Sequence, residues 1–501
     1  MVTRKRLNQT SIALLLSLGV AGYTASSSAA PAAQAGSAEG ASSQEEQSLS
    51  SWLGLSASDR REIEEYARQY KSFLGRARTE LSFVTEAVRL VRARGFRELR
   101  DDSRLTPGAR FYDVNRDRAM ALIVIGQEDF ERGFRIVGAH IDSPRLELKG
   151  RPLYEKEGFA LFQTSFHGGL KNYEWTNIPL ALMGRVDKKD GTTVWISIGN
   201  EPENPVFIIA DLAPHVDVDF RKRTNREVIL AEEMDPLVGH IPGKDKSVSK
   251  MVEEFLKTTY GIELEDLISA ELALVPALPP RDVGFDRALM AIYGQDDRLS
   301  AYAALQAIMA VEDPRFTDVA YFVDNEEVGN VNNTGARSTY LVDLMGRLMY
   351  TRLGEKYRNP QLRRALRNTR VISADVNPGI HPIWPEAFER GNAPRLGYGV
   401  NLKLYGQGFN ANSEYIAWVR AILDEEGVPW QTTMYKVGRG GGGTIGNELS
   451  KDNMEVIDLG VPVLSIHTPY SISSKIDVHS LFRALRAFYA NRSTVGPSAR
   501  D

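Results

Sequence analysis

The 501-residue sequence contains no cysteine. No disulfide can staple the fold, and any metal site has to be assembled from His, Asp and Glu. Long apolar runs are missing too. The stretch 12–20 falls short of the ~20 residues that cross a bilayer, and no later segment has the length and polarity of a spanning helix, which argues against stable membrane insertion. A charge excess is also absent: 61 Lys and Arg stand against 65 Asp and Glu, for a formal charge of −4. That balance argues against nucleic acid or an anionic membrane as the main partner. No short internal repeat stands out. What remains is an ordinary globular composition, 43% hydrophobic and 25% charged, in a chain long enough for two compact domains.

The N-terminus reads as an export signal over residues 1–35. A basic Arg4-Lys5-Arg6 cluster precedes the apolar stretch, and small residues run on to Ala35, with cleavage placed after Ala30 or Ala35. Its loss would take the formal charge from −4 to −7, because those three residues are the only charged ones in it. The product would be exported to the periplasm or the medium. Residues 36–57 read as a flexible leader, since Gly, Ala, Ser, Gln and Glu dominate its first part and bury too little apolar surface to offset ordering. Residues 493–501 read as a disordered tail. Between them Ser58 is placed to cap a helix carrying Ile63, Tyr66, Tyr70 and Phe73, and a second helix carries Leu81, Val84, Val88 and Val91 before Gly95.

Short apolar runs at 120–125, 134–137, 319–323, 370–373 and 461–466 predict strands, with amphipathic helices at 299–311 and 413–425. This alternation predicts an α/β sheet with helices on its faces. About 150 residues between His140 and Asp296 are too many for a crossover, so an inserted domain is expected at 150–282, with strands at 193–198 and 206–209 and a helix at 246–258. The flanking parts, 58–149 and 283–492, would form the main domain.

Polar residues fall where the predicted strands end. His140 and Asp142 follow one apolar run, Glu326 and Glu327 another, Asp375 a third and His467 a fourth. The carboxyl ends of parallel strands share one edge of an open α/β sheet, so these residues are expected to converge there. Asp296 is a fifth candidate, although a carboxylate before a helix also suits capping. Singly, each His reads better as a structural residue and each acid as a solvated or capping one. Packing alone gives no reason for the whole set. Two His plus carboxylates without thiolate suit Zn²⁺, Co²⁺ or Mn²⁺, with zinc the default for hydrolysis. Asp142 is placed to accept from the free nitrogen of the His140 ring. Of Glu326 and Glu327, opposite pleat directions would let one face a metal and the other a water.

These residues closely resemble the aspartyl aminopeptidase family of co-catalytic zinc peptidases, especially its bacterial branch. The resemblance runs from about Glu62 to Tyr489 and is carried by 138–144, 293–297, 325–329, 373–375, 440–445 and 465–467. It implies an α/β fold with a phosphorylase/hydrolase-like mixed sheet and flanking helices, plus an inserted, mainly-β dimerisation domain, with homodimers assembling into a homododecamer. It implies two Zn²⁺ per subunit acting on peptide substrates, bridged by Asp296, with His140 and Asp375 completing one site and Glu327 and His467 the other. Glu326 is then the general base. A His on the insertion would reach the neighbouring subunit's site; His215 is the candidate, with a surface or core role as the alternative reading. One departure stands out: relatives often show Lys-Val-Asp where this chain has Lys436-Val437-Gly438. The rival readings are a related zinc amidohydrolase or carboxypeptidase, and a non-catalytic, metal-stabilised peptide-binding assembly.

Overall fold

The structure, a computed structural model, describes residues 50–406 and 409–493. The expected signal peptide, residues 36–49 of the leader and 494–501 of the tail lie outside the described residues. The leader's last part is not free: the Ser51 amide donates to the Gly397 carbonyl at 2.7 Å, and Trp52 is half-buried. The first helix, Ala57–Arg76, is capped by Ser56 rather than Ser58. Ser56 Oγ accepts from the Asp59 amide (3.1 Å) and the Asp59 carboxylate accepts from the Ser56 amide (3.0 Å). The spacing Ser56-x-x-Asp59 allows this reciprocal pair, which satisfies two otherwise unpaired donors. The second helix, Glu80–Ala93, buries Leu81, Val84 and Val91 and leaves Val88 half-buried.

Nine strands form the main sheet, in the spatial order Arg97–Glu98, Arg110–Asn115, Ala119–Val124, Thr317–Val323, Phe134–His140, Arg370–Ala374, Glu455–Gly460, Val400–Lys403, Trp430–Thr433. The four central strands from Thr317–Val323 to Glu455–Gly460 run parallel. They are buried almost throughout. Burial on both faces explains why they read as continuous apolar runs rather than alternating ones. One face packs against the two N-terminal helices and the helices Gln295–Met309, Ser413–Glu425 and Lys475–Ala490; the other packs against Tyr340–Leu353 and Asn359–Asn368.

A second, six-stranded antiparallel sheet uses strands from Arg145–Lys156 to Ala270–Pro276 and has its own hydrophobic cluster around Trp175, Leu180 and Leu274. It starts at Arg145, only five residues after His140, so no linker composition marks its beginning. The strand 193–198 and the helix, found at Val248–Tyr260, are present. The expected strand 206–209 is not: Phe207 and Ile208 make isolated bridges only, next to Pro205, which lacks an amide donor.

The run 461–466 is likewise not one strand of the main sheet. Glu455–Gly460 occupies the main sheet, while Pro462–Leu464 joins a separate five-stranded sheet with Asn377–Pro378, Ser471–Ser474, Leu289–Ile292 and Arg281–Val283. Gly460 permits the change of sheet, because a Cβ there would lie 1.7 Å from the Asp375 carbonyl oxygen. Among the described residues no helix is long and apolar enough to cross a membrane.

Candidate metal centre

The register of the central strands sets the site. His140 pairs with Val323 and Ser373 with Gly138, so the chain leaves three parallel strands at one edge. Asp142, Glu326, Glu327 and Asp375 follow within a few residues. The five-stranded sheet supplies the rest. Ile292 pairs with Ser471, which brings the turn carrying Asp296 beside the loop carrying His467. Gln295 locks the two together: its Nε2 donates to the Ser471 carbonyl (2.7 Å), and its Oε1 accepts from Ser473 Oγ (2.5 Å) and Tyr70 Oη (3.1 Å). His467 therefore arrives from a loop of another sheet, which its sequence position after an apolar run did not reveal.

The side chains converge. Asp296 Oδ1 lies 3.1 Å from His140 Nε2, and its Oδ2 lies 3.3 Å from His467 Nε2. His467 Nε2 is also 3.4 Å from Glu327 Oε2. Asp296 does not cap the helix after it; its backbone is non-helical and both its oxygens face histidine. Three donor sets come within ligating distance of one another: His140, Asp297 and Asp375; His140, Glu326 and Glu327; and Asp296, Glu327 and His467. Glu326 and Glu327 project from a 3₁₀ turn, Glu326–Val328, entered through Asn325 at φ 61°, so this turn rather than strand pleating sets their directions.

Asp142 sits behind this group, fully buried. Its Oδ1 accepts from the Glu326 amide (3.1 Å) and faces His140 Nδ1 (3.2 Å), which also faces the Asp142 backbone carbonyl (3.1 Å); its Oδ2 accepts from the Glu327 amide (3.1 Å) and faces His167 Nε2 (2.8 Å). One carboxylate thus meets two rings and the backbone amides of Glu326 and Glu327. His167 and Asp297 were not singled out from sequence. His167 ends a strand just before two glycines, and Asp297 directly follows Asp296. His215 is not part of the group: it lies in an exposed turn away from the cavity.

The electrostatics suit a bound cation. Burial pushes Glu327 up to about 8, helped by the negative Asp296 beside it. Burial also raises Glu326, and it raises Asp375 strongly, next to Asp297 and Asp296. Against the burial that would raise it, Asp296 is held well below the usual carboxylate range by hydrogen bonds from His140 and His467. His467 itself, only partly shielded from solvent, is lifted to about 9 by Asp296 and Glu327 against that desolvation. Glu327 Oε1 is buried with no hydrogen-bond partner among the described residues. Like charges packed this closely, with an orphaned oxygen, are what a divalent ion compensates. Two imidazoles and several carboxylates are also a zinc donor set. The residues present fit the metal.

The group forms the floor of a cavity of about 810 Å³, walled by Lys403, Tyr435 and the glycines 440–443. This glycine loop is tied down. Lys403 Nζ donates to the Gly442 carbonyl (3.0 Å), and Thr444 Oγ1 donates to Asp458 Oδ1 (2.9 Å). Gly443 approaches the site closely, a Cβ there lying 3.9 Å from Glu326 Oε1. Gly438 does not line the cavity. It is exposed at φ 68° with nothing near a would-be Cβ, a backbone that glycine adopts at little cost.

Comparison with known proteins gives a consistent picture. Residues 73–489 match the family described as aminopeptidase I zinc metalloprotease (M18). A probable M18 family aminopeptidase 1 from Thermotoga maritima is 40% identical over 436 residues, covering 85% of this chain and 96% of that protein. The crystal structure of an M18 aminopeptidase from Thermotoga maritima superposes with a TM-score of 0.83 at 38% identity, covering 88% of this chain and 98% of that one. The S. cerevesiae mApe1 dodecamer shares the fold at 22% identity, with a TM-score of 0.70 over 84% of this chain and 96% of that one. Matched over most of its length in both sequence and fold, the chain belongs to the M18 zinc metalloprotease family and is a metalloaminopeptidase.

Proposed function

We propose that the chain is a di-zinc aminopeptidase that removes the N-terminal residue of peptides with Glu326 as general base. The observation that carries this reading is the Asp296 carboxylate, which offers one oxygen to the His140 side and the other to the His467 side on the cavity floor. Asp296 would bridge two zinc ions, His140 and Asp375 would complete one site, and Glu327 and His467 the other. The bound pair supplies Lewis acidity to the peptide carbonyl and to the attacking water.

The chain's own residues do the rest. Asp142 accepts from His140 Nδ1–H, which leaves Nε2 free to bind metal, and it holds the amides of Glu326 and Glu327. Glu326, raised by burial and by its acidic neighbours, takes the proton of the attacking water and returns it to the leaving amine. The closed floor and the Gly440–443 wall leave room for the first residue of a peptide and its amine.

His215 would act from a partner subunit, stabilising the oxyanion. Its exposure, away from its own chain's cavity, is consistent with such a role. Homodimers formed through the inserted sheet and assembling into a dodecamer would deliver it; a yeast protein of the same fold is a dodecamer. Export to the periplasm or medium rests on the N-terminal pattern, and N-terminal sequencing of fractionated protein tests it. Particle mass by light scattering tests the assembly.

The direct test pairs elemental analysis with hydrolysis of aspartyl, glutamyl, leucyl and lysyl anilides, each with a free and a blocked amine. Two zinc ions per chain and turnover of the free-amine substrates alone are expected. Hydrolysis of blocked substrates, or a single zinc per chain in a fully active preparation, would overturn the proposal.

A further inference from the structure

The strand Phe159–His167 belongs to the inserted sheet, yet its end reaches the metal centre at three successive residues. His167 Nε2 meets Asp142 Oδ2 at 2.8 Å, shorter than the 3.1–3.2 Å of the other three donors to that carboxylate. Gly168, at φ 76°, leaves little space for a side chain: a Cβ would stand 3.1 Å from Glu327 Cβ and 3.2 Å from Glu327 Oε2. The Gly169 carbonyl accepts from His467 Nδ1 at 3.0 Å. One segment therefore touches the group that orients His140, the side chain of Glu327 and the ring of His467.

The far side of the His167 ring is also fixed. Its Nδ1 lies 3.2 Å from Glu147 Oε1, which accepts from Arg145 Nη2 at 2.9 Å, and Arg145 Nη1 pairs with Glu80 Oε2 at 3.0 Å. A polar cavity of about 330 Å³, separate from the substrate cavity, lies against this chain of groups. The ring is buried and does not line the substrate cavity. Its polar partners are Asp142 and Glu147, and of these only Asp142 also meets the His140 ring and the Glu326–Glu327 backbone.

We infer that His167 is a positioning residue and that segment 167–169 is the device by which the inserted sheet orients both metal-facing histidines. The inference rests on the zinc-peptidase reading above. Without the His167 donor, Asp142 Oδ2 keeps only the Glu327 amide, and the carboxylate can turn. That loosens the hold on the His140 ring and on the Glu326–Glu327 backbone together. Groups of this kind behind metal ligands typically contribute 10–100-fold in metal affinity or activity.

The test uses full-length, zinc-loaded protein with His167→Phe and His167→Gln. The glutamine amide can donate to Asp142 where the ring nitrogen did; phenylalanine fills the space without a donor. Zinc transfer to excess 4-(2-pyridylazo)resorcinol is expected to accelerate about 10–100-fold in His167→Phe. Its kcat is expected to fall with KM unchanged, because the ring is outside the substrate cavity. His167→Gln is expected to restore both toward the parent. A phenylalanine variant that releases zinc at the parent rate overturns the inference, as does a glutamine variant no better than phenylalanine, which would reduce the ring to packing. If His167→Phe does not fold, Gly168→Ala presses a methyl group on Glu327 and should speed zinc release in the same assay; an unchanged rate overturns the role of the segment. Parent protein that binds no zinc would instead sink the zinc-peptidase reading itself.

Discussion

Zinc binding should expel protons, and Glu327 and His467 are the first groups to lose them. Without metal, Glu327 is pushed up to about 8 by burial and the nearby Asp296, and His467, only partly shielded from solvent, is lifted to about 9 by Asp296 and Glu327 against that desolvation. At pH 7 both therefore hold a proton that must leave before the donor can bind a cation. The slope of log K against pH equals the number of protons released. Two protons give a slope of about 2, so affinity should rise about 100-fold between pH 6 and pH 7. The sign is fixed: acid favours the protonated, metal-free site, and the gain flattens as pH passes about 8 and then about 9. Asp375 and His140 are also raised, and protons held there add to the release. Calorimetric titration of the metal-free protein with zinc, run at pH 7 in buffers of different ionisation enthalpy, counts the protons directly. A count of zero would refute the reasoning, since it would mean that the crowded carboxylates were ionised without a cation.

Three further outcomes are expected. Glu326→Gln should keep the parent zinc content by elemental analysis while lowering kcat by roughly 10²–10⁴-fold, the usual worth of a general base; near-normal turnover would remove Glu326 from the proposed mechanism. Asp142→Asn offers one acceptor oxygen to four donors, so two are left facing an amide NH₂, and zinc affinity measured by chelator competition should drop about 10–100-fold. An affinity within error of the parent would show that the backbone carbonyl of residue 142, and not its carboxylate, holds the His140 ring in place. His215→Ala should lower kcat by roughly 10²–10³-fold, the usual loss for one oxyanion donor, with zinc content unchanged; parent-like kcat in the assembled protein would exclude the partner-subunit role.

The sequence was most legible where burial was most complete. Strands covered on both faces appear as unbroken apolar runs, so Phe134–His140, Thr317–Val323 and Arg370–Ala374 could be found with the acids and histidine that follow them. The legibility failed where one apolar run served two sheets. Residues 461–466 look like a single strand, but Gly460 passes so close to Asp375 that the chain turns into the five-stranded sheet there. Ser56 was missed because the Ser56–Asp59 spacing, and not nearness to the apolar face, decides which serine caps. His167 left only a faint trace, a histidine closing a strand before Gly168-Gly169, because its partner Asp142 is 25 residues away.

The six-stranded inserted sheet and the five-stranded sheet are what turn a row of strand ends into a site. The parallel strands alone deliver His140, Asp142, Glu326, Glu327 and Asp375 to one edge, an arrangement that is strongly acidic and lacks its second histidine. The five-stranded sheet adds Asp296 and His467 as a coupled pair, since Ile292 and Ser471 are register partners and Gln295 ties their loops. The inserted sheet then braces both histidines from behind, through His167 on Asp142 and through the Gly169 carbonyl on His467. Each histidine thus has one ring nitrogen held by the scaffold and the other turned toward Asp296. That division fixes both rings before any cation arrives, so the cost of gathering the carboxylates falls on their protonation and not on the geometry. A metal-free protein should accordingly keep its site closely organised and differ from the loaded one chiefly in bound protons.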